Sequence, residues 1–178
     1  IRIENLGGHE VWIPLQDSFR YAWKIPATQA LQQLWIDKGA GEPPPVGTHL
    51  VAIDEGHDWR AESSTFAHPR PGEAREIIPW LLVRGTDPKV GGWYVGVEFS
   101  GRVAMTLKRR GATLEGSVGL NPEPGPFSTR LLPGETFATP TVFVGADDGD
   151  IDDTGNMLHR WVRQVLNDPA TLRNPDYP

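Results

Sequence analysis

Alternation of apolar and polar residues is the feature that most constrains how this chain can fold. Between Phe19 and Ile25 every second residue is aromatic or aliphatic, which is the period of a strand with one buried face. The same period runs through residues 93–99 and again through 103–107. Two adjacent strands that turn at residues 100–101 are therefore expected.

Weaker strand patterns and many turn residues extend this prediction to the whole chain. The 178 residues include 20 Gly and 17 Pro, and both residue types interrupt helices and favour turns. We expect one all-β domain of roughly ten strands in stacked antiparallel sheets. The N-terminal residues 1–4 read as strand, and further candidates are 10–15, 48–53, 76–83, 112–119, 127–132 and 136–145.

One helix is predicted near the C-terminus, at about 150–167. Asp150 is the expected N-cap, and Asp168 followed by Pro169 should end the helix. The predicted sandwich domain then covers residues 1–168, and 169–178 have the composition of a linker. The apolar helix face consists of Ile151, Thr154, Leu158, Trp161, Val162 and Val165.

Composition excludes several classes of partner. The net charge of −6 and the lack of a basic, aromatic-containing patch argue against nucleic acid. No apolar stretch approaches the roughly 20 residues that span a bilayer, so a soluble protein without a membrane partner is expected, in the bacterial cytoplasm or secreted. The absence of Cys excludes disulfides and thiolate chemistry.

Metal binding and catalysis are weakly supported by the sequence. The acidic residues at 147–153 lack the Gly and Glu positions of a calcium loop, and their place before a helix favours capping. The five histidines are scattered, so no metal or other cofactor is expected. Asp54, Asp58 and Glu98 could supply a pair of carboxylates for glycoside cleavage, but surface acids are common in an acidic chain. Ser100 is interpreted as a turn residue.

Tryptophans are the better candidates for a ligand, because sugar rings pack their C–H faces on indole. We assign Trp23, Trp93 and Trp161 to apolar faces, which leaves four rings for the surface. Trp59 is the preferred carbohydrate contact because it stands beside His57 and Asp58 in a polar stretch. The other three possible surface rings are Trp12, Trp35 and Trp80.

Three segments resemble the N-terminal domain of family 36 α-galactosidases. They are residues 92–102, residues 131–140, which are similar to the family's L-x-P-G-E-x-F-x-T-P segment, and residues 149–161, which are similar to its G-D-x-D-D…N-x-L-H-R-W helix. The chain departs from the family at 146–147, where an aromatic residue is usual.

The resemblance implies a β-supersandwich of the galactose mutarotase type that precedes a (β/α)₈ barrel. It implies retaining hydrolysis of α-galactosides by two aspartates of that barrel, so no residue of this chain takes a catalytic role. Leu158, Trp161 and Val165 would then dock the helix on the barrel, with exposed apolar surface around Trp161.

The leading hypothesis is therefore a non-catalytic accessory domain that supports a downstream barrel of the same polypeptide, whose substrate would be an α-galactoside. One alternative is a carbohydrate-binding module that acts through Trp59. Another is a mutarotase-like enzyme that uses a His and a Glu as acid and base. Homo-oligomer formation is left open.

Overall fold

The protein is described by a computed structural model that covers residues 1–26, 28–37, 47–63, 77–87, 89–121, 127–148 and 150–166. These residues form thirteen strands, an α-helix and one π-helical turn. The strands are β1 (Arg2–Glu4), β2 (Val11–Pro14), β3 (Asp17–Lys24), β4 (Leu31–Asp37), β5 (Thr48–Ala52), β6 (Asp58–Ser63), β7 (Ile77–Gly85), β8 (Gly92–Glu98), β9 (Val103–Arg110), β10 (Thr113–Leu120), β11 (Ser128–Leu131), β12 (Thr136–Ala138) and β13 (Thr141–Asp147). The helix α1 spans Ile151–Trp161 and continues into the π-helical turn Val162–Leu166.

Two sheets form the body of the sandwich. One has four strands in the order β3-β10-β9-β6, and the other has five in the order β13-β8-β7-β4-β5. Two short ribbons, β1-β12 and β11-β2, accompany them. Every pairing among these strands is antiparallel. The predicted all-β antiparallel sandwich with one C-terminal helix is confirmed.

The main core lies between the two sheets, where the alternating residues of β3 and β9 meet those of β7 and β8. Tyr21 shows why the alternation matters: its ring is buried, and its hydroxyl donates to the Thr106 carbonyl at 2.6 Å. Burial raises the pKa of this phenol. The buried members of this cluster are Tyr21, Leu31, Ile53, Ile77, Leu81, Val83, Val95, Val97, Val103, Met105, Leu107, Leu114 and Val118.

A second apolar cluster covers the outer face of the five-stranded sheet. Leu34, Trp80, Leu82 and Tyr94 are buried there, with Met157 and Leu158 of α1 packed against them. The strand β7 therefore has apolar residues on both of its faces, as expected for a strand with a layer on each side. The helix makes a third layer over the five-stranded sheet.

The predicted hairpin between residues 93–99 and 103–107 is wrong. β8 pairs with β7 and β13, whereas β9 pairs with β10 and β6. The intervening residues, including Ser100, carry the chain from one sheet to the other. Alternation alone identifies a strand and its buried face, but it does not identify the neighbouring strand.

Two strands within the described residues were not predicted. β4 carries Gln33 at a fully buried position in the middle of its inner face, which interrupts the apolar pattern. β6 begins in the polar stretch around Trp59, which was interpreted as surface. The candidate strand 136–145 is in fact two strands, β12 and β13.

Candidate functional site

The start of α1 is fixed by its own acidic residues. Asp150 is the N-cap, as predicted, and its carboxylate accepts from the Asp153 backbone N–H at 2.8 Å. The Asp153 carboxylate accepts in return from the Asp150 backbone N–H at 3.3 Å, which completes a capping box. Among the described residues, no cluster of three or more His, Asp or Glu side chains could hold a metal ion.

A buried polar contact joins α1 to the five-stranded sheet. Thr154, in the first turns of the helix, donates its hydroxyl hydrogen to Asp147 at the end of β13. The other Asp147 oxygen lies 3.7 Å from Nε of Arg84 on β7, and both side chains are almost fully enclosed. Because removing one partner of a buried charge is costly, this group ties the helix N-terminus to two strands.

The other end of α1 is held by apolar packing alone in the described residues. The Trp161 ring lies 4.9 Å from the Phe143 ring, measured between centroids. Leu158 and Trp161 are half-buried, while Val165 in the following turn is 62% exposed. The apolar face predicted for the helix therefore extends beyond the part that the sheet covers.

A depression of about 490 Å³ opens beside this end of the helix. Its walls are apolar except for Glu98, at the end of β8. This is the exposed apolar surface that we expected around Trp161, although docking of a barrel there stays a prediction. The lining residues are Ile78, Pro79, Trp80, Val97, Glu98, Phe143, Leu158, Trp161 and Val162.

The three predicted carbohydrate contacts do not point to one common surface. Trp59 points into the sandwich, where its ring lies 5.5 Å from that of Trp35. His57 Nε2 donates to Gln33 Oε1 at 2.9 Å, and burial lowers the pKa of His57 against the opposing effect of Asp58 and Asp54. Asp58 points to the outer face and pairs with Lys108 at 2.8 Å. Sugar binding by this group stays a prediction.

The remaining tryptophans divide between interior and surface. Trp80 was expected as a possible surface ring, and this is wrong: it is 8% exposed because α1 covers that face of β7. Trp35 is half-buried and stacks on His49 at 4.7 Å between centroids, and His49 donates to Asp37 at 2.9 Å. Trp12 is 62% exposed, which confirms it as a surface ring.

The carboxylates considered for glycoside cleavage are distributed over the two sides of the sandwich. Glu98 lines the depression on the outer face of the five-stranded sheet. Asp58 lies on the outer face of the four-stranded sheet, paired with Lys108, and Asp54 is exposed in the turn after β5. Since glycosidases place their two carboxylates within about 10 Å of each other, Glu98 and Asp58 do not form such a pair.

These features define a class: an antiparallel β-sandwich with a C-terminal helix on its outer face. No helix among the described residues has the length and apolar character required to cross a membrane. No family model and no curated protein sequence matches the chain.

Solved structures share this fold and make the relationship more specific. α-Galactosidase AgaB of Geobacillus stearothermophilus, from glycoside hydrolase family 36, superposes with a TM-score of 0.71 at 19% identity over 92% of this chain. AgaA from the same organism, bound to stachyose, gives 0.70 at 20% identity and the same coverage. The α-galactosidase of Lactobacillus brevis gives 0.68 at 15% identity. The predicted resemblance is confirmed at the level of the fold.

The matched region is a small part of each relative. The chain spans about a fifth of their length, since the alignments cover 21% of each of these three structures. In these three relatives, the region that shares the fold is one part of a larger α-galactosidase.

Proposed function

We propose that this chain is a non-catalytic accessory domain of an α-galactosidase-like glycoside hydrolase, and that it supports a catalytic barrel in the same polypeptide. Hydrolysis of the α-galactoside would be carried out by two aspartates of that barrel. In this proposal, residues 1–168 are the domain and residues 169–178 lead from it to the barrel.

The observation that carries the proposal is the incompletely covered apolar face at the end of α1. The depression beside Trp161 and the exposed Val165 leave apolar surface open to water. Burial of such surface contributes roughly 25 cal/mol per Å², so a neighbouring domain that covers it would gain stability. The helix would then lie between the sandwich and the barrel, and the hydrogen bond from Thr154 to Asp147 would hold it to the sandwich.

The positions of two candidate carboxylates agree with this role. Glu98 and Asp58 lie on opposite sides of the sandwich. A domain without its own acid and base can still contribute to catalysis by fixing the position of a neighbour.

The proposal is tested by the coding sequence beyond Pro178 and by the behaviour of the longer product. We expect a barrel whose strand ends carry two aspartates, and we expect the longer protein to unfold in one cooperative transition. A stop codon directly after Pro178 would contradict the proposal. So would a barrel that is equally stable and active after residues 1–168 are removed.

A further inference from the structure

Trp12 is the one exposed ring among the seven tryptophans, all of which lie in the described part of the chain. It occupies β2, in the two-stranded ribbon with β11. No aromatic ring of the described residues contacts it, whereas Trp35 stacks on His49 and Trp59 packs towards Trp35. Trp12 therefore keeps an indole face accessible to a ligand.

Two charged residues stand near Trp12 in the ribbon. Arg130 is the direct cross-strand partner of Trp12, and directly opposed residues of an antiparallel pair project to the same face, with Cβ atoms about 5 Å apart. The Glu10 carboxylate lies 3.6 Å from Arg130 Nη1, and each of the two side chains is about half exposed. Arg130, which pairs with Glu10, therefore projects from the same face of the ribbon as the indole.

The ribbon is hydrogen-bonded to the segment that follows β1. Leu131, next to Arg130, is 5% exposed, and the buried Asn5 donates from Nδ2 to the Leu131 carbonyl at 3.0 Å and to the His9 carbonyl at 2.8 Å. Trp12 and its neighbours are therefore presented by an anchored backbone, which lowers the entropy cost of binding.

The chemistry of this face suits a sugar better than a protein. A pyranose ring offers an apolar C–H face to indole, while its hydroxyls accept from guanidinium N–H groups and donate to a carboxylate. The paired charges cancel, which favours a neutral ligand. The large aliphatic residues of the ribbon, Val11, Ile13 and Leu131, project to the opposite face of their strands. Pro14 is then the one apolar neighbour of Trp12 on its face of β2 and β11, which is less apolar surface than the centre of a protein interface usually has.

The geometry points to a binding site for one pyranose ring of a neutral oligosaccharide, with Trp12 as the stacking platform and Arg130 and Glu10 as hydrogen-bonding groups. The site is separate from the depression beside Trp161. It does not depend on the support of a barrel by this domain.

The test uses the indole N–H signals of the ¹⁵N-labelled chain, which has seven tryptophans. Trp12→Phe and Trp59→Phe each remove one signal and thereby assign it. Raffinose, maltotriose and cellotriose are then titrated separately to about 100 mM, because one stacked ring supports only millimolar affinity. We expect the Trp12 signal to shift saturably with at least one of these sugars.

Matched variants examine the contribution of each group, and their affinities are measured from the backbone amide signals of β2 and β11, because Trp12→Ala lacks the Trp12 indole signal. Trp12→Ala should weaken binding by about tenfold or more. Arg130→Gln should weaken it severalfold, whereas Arg20→Gln, which changes an exposed arginine paired with Asp17 in another sheet, should leave it unchanged. Unaltered thermal melting of each variant shows that the fold is intact.

Three results would overturn the inference. The first is the absence of any saturable shift, and the second is unchanged affinity of Trp12→Ala. The third is a shift of the Trp59 signal with that of Trp12 unmoved, which would instead support the site predicted around Trp59. None of these results bears on support of the barrel, which is judged from the longer polypeptide.

Discussion

Thr154 of α1 donates its hydroxyl hydrogen to the carboxylate of Asp147, the last residue of β13. Both side chains are buried, and Arg84 lies against the second carboxylate oxygen. The helix is thus joined to the sheet by a polar contact at its N-terminal end and by apolar packing at Trp161. The apolar end is the one that we propose another domain covers.

Replacing Thr154 with Val keeps the shape of the side chain but removes the donor. The Asp147 carboxylate would then lose a buried hydrogen bond, so we expect the free energy of unfolding to fall by about 1–3 kcal/mol. Urea denaturation measures this change. The control is Thr141→Val, at an exposed position of β13, the strand that ends at Asp147. Its stability should stay within about 0.5 kcal/mol of the parent. Equal losses in both variants would contradict the assigned role of Thr154.

Gly92 allows β8 to approach β7 closely. A Cβ atom at this position would lie 2.7 Å from the Arg84 Cα and closer still to the Val83 carbonyl oxygen. Gly92→Ala should therefore destabilise the protein by about 1–3 kcal/mol.

Gly155, within α1, provides the opposite case. Outside its chain neighbours and the backbone of its own helix, a Cβ there would meet no heavy atom within 4 Å, and alanine favours helix over glycine by about 1 kcal/mol. Gly155→Ala should raise the denaturation midpoint, and Gly92→Ala should lower it. If Gly155→Ala also lowers the denaturation midpoint, the helix does not leave the open space at Gly155 that the structure shows.

His57 should make stability depend on pH. Burial lowers its pKa in the folded state, whereas the unfolded chain has a value of about 6.5. Below that pH the unfolded state binds more protons, so stability should decline as the pH falls through about 6.5 towards the folded-state value. Stability from this residue is fully present above that range.

Urea denaturation of the parent and of His57→Gln, at about pH 5.5 and about pH 7.5, measures the effect. The variant should lose less stability on acidification than the parent. His9→Gln, at an exposed position, should behave like the parent. An identical pH dependence for the parent and His57→Gln would show that protonation of His57 is not coupled to folding.

Val165 tests docking without disturbing the sandwich. It is 62% exposed, so Val165→Glu should change the stability of the isolated chain by no more than about 0.5 kcal/mol. In the longer polypeptide, the buried charge should weaken packing of the barrel on the helix and lower its melting temperature. Leu50→Glu, at a 47% exposed apolar position on β5, is the control and should have a smaller effect. Equal effects would place the contact elsewhere.

Much of the fold could be predicted because the alternation of apolar and polar residues along a strand reflects which side chains are buried. The strand that contains Tyr21 was predictable because its apolar residues repeat every two positions. The helix face that contains Leu158 was predictable because its apolar residues repeat at helical spacing. β4 was missed because Gln33 occupies a core position, where His57 provides its hydrogen bond. That partner is 24 residues away along the chain, and sequence alone gives no sign of the pairing.

The candidate site was predictable in its local parts only. Asp150 was recognised as a cap because its partner is three residues away. The contact between Thr154 and Asp147 depends on how β13 leads into the helix, and the burial of Trp80 depends on which sheet face the helix covers. Such contacts between layers leave no periodic signal.

The central claim, that this chain is a scaffold without its own glycosidase activity, is tested most directly with a chromogenic α-galactoside. Residues 1–178 are purified and assayed alone, next to an active α-galactosidase as the positive control. We predict that product release equals that of buffer. Release that follows the concentration of the folded chain through successive purification steps would contradict the account.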